Sequence, residues 1–280
     1  MTETDASAIP EEDPLVRFSD ECSWLLTAYE GDETLESALA GLYYAMKSTR
    51  IAPRVVDTLL LGDSSETTSS GRGEDACYVA ETMVKTVHSS GDLLAQAVNV
   101  CVCEPRLGVA GVTLFGVKGQ VERQSQAGID AQLRDWYARV AVELGRLADS
   151  PDYLYVSDFT NTSKHQAFIN RTIVTTDDSC AIVFNAFTRN DRSSTREHAA
   201  RSFSDVCAMV GRIRDSCIGV VQMMEQRQMW DRTVASGGSL VSDFLSVNAT
   251  PQVMTAEDFT TRTYKSFTDD AAGHPTETES

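Results

Sequence analysis

The sequence predicts a mainly α protein, a helical bundle with one or two inserted β-hairpins, and three observations lead there. Apolar residues recur at steps of three and four through several long stretches, which is the period of an amphipathic helix. Two β-branched runs flank a TDDS turn within RTIVTTDDSCAIVFNAF, residues 171–187, as in a hairpin. Both ends of the chain are polar and aperiodic, so residues 1–12 and the tail 248–280 are expected to be disordered acidic termini flanking a helical bundle domain over 13–247.

The elements follow in order. A helix is expected from Pro14 to Glu30, with Leu15, Phe18, Cys22, Leu25, Leu26 and Tyr29 on one face. Gly31 ends it, and Asp32 or Thr34 can cap the next helix, which runs to about Thr49 on a stripe of Leu35, Leu39, Leu42, Tyr43 and Met46. Pro53 opens a short apolar segment, VVDTLLLG, and residues 62–75 read as a loop by composition. A long helix from Asp75 to Cys101 follows, with Gly91 in its interior suggesting close packing or a break. The Gly-rich stretch 104–124, containing VTLFGVKGQV, suits a small hairpin or a packed loop. From near Gly128 the residues Ile129, Leu133, Trp136, Val140, Leu144 and Leu147 mark another helix. Pro151 opens a segment that becomes helical after its first few residues. After the hairpin, a last helix is expected over Arg196–Gln226 on Val206, Met209 or Val210, Ile213, Cys217, Val220 and Met224, with a short helical possibility in LVSDFLSV, residues 240–247.

Charge and composition narrow the function. The net charge of −17 sits mostly at the ends: residues 1–40 carry −10 and residues 248–280 carry −4, which leaves the body near neutral at −3. Such a chain does not adhere to nucleic acid over its whole surface, although a local basic pocket is compatible with it. No apolar run is long enough to span a membrane, the first residues lack the features of a signal peptide, and seven cysteines without a dense spacing fit a reducing cytoplasm. Cys101 and Cys103 form a lone C-x-C, and there is no H-E-x-x-H, Walker A loop or G-x-S-x-G, so no metal site and no cofactor is expected.

Two polar stripes stand out. In SDFTNTSKH, residues 157–165, helical spacing places Asp158, Asn161 and His165 on one face with Lys164 beside it. On the earlier long helix His88, Asp92, Gln96 and Asn99 share a face. Buried polar groups need partners, so pairs such as Asp92 with Lys164 or Asn99 with His165 are physically sensible. Such a network can serve only packing, or it can bind or react.

The pairing of SGDLLAQAVN, residues 90–99, with D-F-x-N-x-x-K-H at 158–165, followed by a β insertion and a final long helix, resembles HEPN-like helical proteins of bacteria and phages, over a core of about residues 75–227. The resemblance implies a compact helical bundle, often dimeric; many such proteins are metal-independent ribonucleases in toxin or defence systems, while others serve as noncatalytic binding modules. Active members carry R-x(4–6)-H. The match here is Arg192 to His198 in RSSTREH, with Ser193 in the place usually held by Asn, Asp or His, a departure from the catalytic pattern. A histidine in that motif could move the proton of a 2′-hydroxyl or a leaving group, and an arginine could stabilise phosphorane charge. Arg189, Arg192, Arg196 and Arg201 could instead touch phosphates, diluted by Asp191 and Glu197.

The leading expectation is therefore a cytoplasmic, HEPN-like, noncatalytic interaction module that binds a protein partner or forms a homodimer. The alternative is a metal-independent ribonuclease or toxin, with His165, Arg192 and His198 as catalytic candidates and RNA as substrate. A structural accessory protein of phage or host is a further class.

Overall fold

A computed structural model describes residues 14–61, 69–127, 131–165, 169–175, 180–190 and 194–235. Helices α1 (Pro14–Ala28), α2 (Glu33–Leu61), α3 (Ser69–Cys101), α4 (Leu114–Ser125), α5 (Ala131–Ala148) and α6 (Pro151–His165) come first. Strands β1 (Arg171–Thr175), β2 (Cys180–Phe184), β3 (Phe187–Asn190), β4 (Thr195–His198) and β5 (Arg201–Ser202) follow, and α7 (Phe203–Ala235) ends the described chain. The fold is mainly α. One hydrophobic cluster draws residues from all seven of these helices and from β2, and no described helix is long and apolar enough to cross a membrane.

The expected stripes are the buried ones. Phe18, Cys22 and Leu25 of α1 are fully buried, as are Leu35, Leu39, Leu42 and Met46 of α2. The α1 helix stops where Gly31 takes φ 85°, a left-handed conformation that glycine adopts without steric cost. Asp32 then caps α2, its Oδ1 accepting from the Leu35 amide at 3.1 Å. The α2 and α3 helices make the most extensive pairing in the molecule. The α7 helix lies against α1, α2, α3, α5 and α6 through Val206, Val210, Ile213, Cys217, Val220 and Met224.

The hairpin at 171–184 forms as an antiparallel pair with Ile173 opposite Ile182, and β5 extends it into a three-stranded sheet ordered β1-β2-β5. A second hairpin pairs β3 with β4, placing Phe187 opposite His198 and Arg189 opposite Arg196.

Five expectations are corrected. The segment opened by Pro151 is helical from Pro151 itself and not after a few residues. Pro53 does not begin a new segment but lies inside α2. Proline removes one hydrogen bond from the helix, yet the buried stripe runs through it from Thr49 to Ala52 and Val56, so packing on α3 carries the helix across. Residues 69–75 belong to α3 and not to a loop. The stretch 104–124 is neither hairpin nor plain loop: α4 starts at Leu114, capped by Thr113, whose hydroxyl accepts from Gly116 N at 3.0 Å. Gly116 is required there, since a Cβ would meet the Gly111 carbonyl oxygen at 2.1 Å. Finally, α7 starts at Phe203 and not at Arg196, because residues 195–198 pair with β3. Ser202 and Asp205 form the box that opens α7: the Asp205 amide donates to Ser202 Oγ at 3.1 Å, and the Ser202 amide and hydroxyl donate to Asp205 Oδ2 at 3.3 and 2.8 Å. The expected terminal segments 1–12 and 248–280 and the short helix at 240–247 lie outside the described residues.

Candidate functional site

Ser150 starts α6 by accepting from the Tyr153 amide at 3.0 Å, and Pro151 takes the first helical position, where its missing N–H is no loss. The phase set there turns Tyr155, Phe159 and Asp158 toward the β3–β4 hairpin, and Asp158 is only 2% exposed. A carboxylate so deeply buried needs compensation. Arg196 supplies it as a fork, Nε to Oδ2 at 2.6 Å and Nη2 to Oδ1 at 2.7 Å, and His198 Nε2 meets Oδ2 at 2.9 Å. Burial pushes the Asp158 carboxyl up, but the hydrogen bonds from Arg196 and His198 outweigh it and hold the group below the ordinary carboxylate value.

The imidazole is enclosed as well. It stacks on Phe187, its cross-strand neighbour, with centroids 4.7 Å apart, and meets the edge of Tyr155 at 5.4 Å. Burial pushes the Tyr155 hydroxyl up to about 12. Arg196 Nη1 donates further to Ser194 Oγ at 3.2 Å. The cluster is a clasp: a guanidinium and an imidazole of one strand grip one acid of a helix, with both carboxylate oxygens engaged.

The structure thus joins two residues that the sequence placed in different constellations. Asp158 and His198 meet, and the arginine between them is Arg196, which sequence reasoning placed only in a loose basic cluster. The signal for it was strand alternation: Arg196 and His198 stand two apart and share the half-buried face of β4. That period is invisible when the stretch is taken as helix. Arg192 and the His165 side chain lie outside the described residues.

The other candidates do not gather around Asp158. Asn161 is half-buried and donates to Ser157 Oγ at 3.4 Å. The proposed pair of Asn99 with His165 gives way to a different partner, because Asn99 clasps the loop after α3, donating to the Leu107 carbonyl at 3.2 Å and accepting from its amide at 2.7 Å. Asp92 and Lys164 are exposed and form no ion pair among the described residues; their charges act on His88, whose imidazole is held below its ordinary value chiefly by burial. Among the described residues no group of three or more His, Cys, Asp or Glu side chains could hold a metal ion.

A second feature lies on the opposite aspect of α3. Between α2 and α3 runs a groove of about 460 Å³, with Ala52, Val55, Val79 and Met83 in its lining and Tyr44, Ile51 and Tyr78 standing along it. Tyr78 is 69% exposed and Ile51 48%. A smaller hollow of about 190 Å³ adjoins it, sharing Lys47 and Ile51 and adding Leu15, Val16, Arg50 and Arg54. Large side chains left in water at helical spacing on two packed helices have no role in the core that the described residues form. The residue pattern carries no sign of the groove, since the stripe behind it is already accounted for by burial.

Comparison with protein-family models, with curated proteins and with solved structures finds no match to this chain.

Proposed function

We propose that the protein is a cytoplasmic, noncatalytic interaction module of HEPN-like type that receives a helical segment of a protein partner in the α2–α3 groove. The observation that carries this reading is the groove itself, an open apolar channel walled by Tyr44, Ile51 and Tyr78. A channel between two helices suits the apolar face of a third, the helix-in-groove mode of recognition. The Asp158 cluster supports the noncatalytic side of the proposal. A general base needs a lone pair within reach of a substrate proton, whereas His198 has one nitrogen on Asp158 and a ring enclosed by Phe187 and Tyr155.

The alternative, a metal-independent ribonuclease, draws on the same triad, since an imidazole oriented by a carboxylate beside a guanidinium is chemically able to move protons near a phosphate. One experiment separates them: cleavage of single-stranded RNA in chelator by wild type and His198→Ala, beside denaturation curves of both. We expect no cleavage by either, and a loss of stability in the variant of about 1–3 kcal/mol. Cleavage by wild type that disappears in His198→Ala, with stability unchanged, would overturn the noncatalytic reading.

A further inference from the structure

The β3–β4 hairpin sets two guanidiniums side by side and, among the described residues, gives a carboxylate to one of them. Arg189 and Arg196 are directly opposite across the strands, so both side chains leave the same, half-buried face. Residues so paired have their Cβ atoms about 5 Å apart, and like charges at that spacing destabilise a sheet. Arg196 is relieved by Asp158, which also receives His198. Arg189 makes no hydrogen bond or ion pair among the described residues. Glu197, the acid of β4, stands opposite Thr188 and points to the other face. Arg196 turns Nε and Nη2 to Asp158 and sends Nη1 to Ser194 Oγ at 3.2 Å. Ser194 is exposed, and a hydroxyl that accepts from a guanidinium keeps its own proton to donate. Arg189 adds the N–H donors of a planar fork.

We infer that Arg189, Ser194 and Arg196 form a binding site for a phosphate monoester. Such a dianion offers three acceptor oxygens and relieves the repulsion between the paired arginines. Arginine forks match phosphate by geometry as well as by charge. Two arginines facing each other across a hairpin break a local rule of strand pairing, and departures of that kind gather at functional sites. A polynucleotide is a poorer fit, because it brings a row of phosphates against a chain of net charge −17. Phe187, the aromatic next to the pair on β3, is packed on His198, Tyr155 and Phe159 and does not stack on a base. The site uses no residue of the α2–α3 groove, so it stands or falls independently of the groove reading.

The test is calorimetric titration of the full chain at low salt with phenyl phosphate, with a short peptide bearing one phosphoserine, and with oligouridine. We expect both monoesters to bind and the unphosphorylated peptide to be silent. Arg189→Gln should weaken both by about tenfold and Ser194→Ala by about threefold. Arg189→Lys, which keeps the charge and loses the fork, should weaken them less than Arg189→Gln. Because Arg189→Gln removes one of two facing like charges, its melting temperature should hold or rise. A phosphopeptide that outbinds phenyl phosphate makes a phosphorylated partner the source, and equal binding makes it a small phosphorylated molecule; either supports the site. No binding of either monoester at millimolar concentration, binding indifferent to Arg189→Gln, or a melting temperature that falls in that variant would overturn the inference. Oligouridine that binds more tightly than both monoesters, and is lost in Arg189→Gln, would overturn it in favour of nucleic acid.

Discussion

The hydroxyl of Tyr153 on α6 occupies the space that a side chain on Gly91 of α3 would need: a Cβ built on Gly91 stands 1.8 Å from Tyr153 Oη and 2.5 Å from its Cζ. The ring also stacks on His88, and its hydroxyl donates to the His88 carbonyl at 3.4 Å. A glycine in mid-helix is unfavourable by about 1 kcal/mol against alanine, and here that cost is offset by letting two helices close on one tyrosine.

Gly91→Ala should therefore destabilise the protein by about 1–3 kcal/mol despite its better helix propensity, read as a lower urea midpoint. Adding Tyr153→Phe removes the nearest atom and should restore part of the loss. A stabilised Gly91→Ala variant would show that α6 and α3 do not approach this closely.

Asp158→Ala should cost about 2–3 kcal/mol, toward the low end for breaking a buried ion pair, because Arg196 is 39% exposed and can return to water. Amide exchange in residues 187–198 should accelerate more than in α7, since the β3–β4 hairpin is tied to α6 through this carboxylate. An unchanged denaturation midpoint would remove the clasp from the account.

Much of this architecture was legible in the residues. The α2 and α7 stripes, Gly31 as a stop, Asp32 as one of two cap candidates and the 171–184 hairpin all follow from local chemistry that the folded chain leaves intact, and Gly91, readable as close packing or a break, is the former. The errors lie where distant contacts overrule a local preference. Arg196 and Glu197 are good helix formers, but β3 and Asp158 hold them extended. Gly116 and Gly119 disguise α4, and Pro53 disguises the continuity of α2. Of the site, Asp158 and His198 were both visible as unusual residues. Their meeting across 40 positions was not, because pairing over that distance is set by topology.

Ile213 and Leu133 looked equivalent as core positions, and the structure separates them. Ile213 is 1% exposed, while Leu133 is only partly buried against the core. Ile213→Asp should leave no folded protein at 25 °C by circular dichroism, since it buries an unpaired charge. Leu133→Asp should fold with a reduced melting temperature. Equal behaviour of the two would contradict the placement of α5.

Two groups predict distinct pH windows. His88 is held below its ordinary value of 6.5, so as pH falls past 6.5 the unfolded chain takes the proton first and stability declines. His88→Asn should flatten that decline relative to wild type in urea midpoints between pH 7.5 and 5.5. Asp158 is held below its ordinary 3.8, so its contribution is complete above that pH and is lost as acid carries the solution through the lowered value. Asp158→Asn should remove that second, more acidic fall and leave the first in place.

The clasp also imposes an order on assembly. Asp158 precedes Arg196 by 38 positions, so a chain growing from its amino end makes the acid well before either of its partners exists. At neutral pH an uncompensated carboxylate stays in water. The face of α6 that carries Asp158 can therefore be buried at low cost only once β4 is there to cover it.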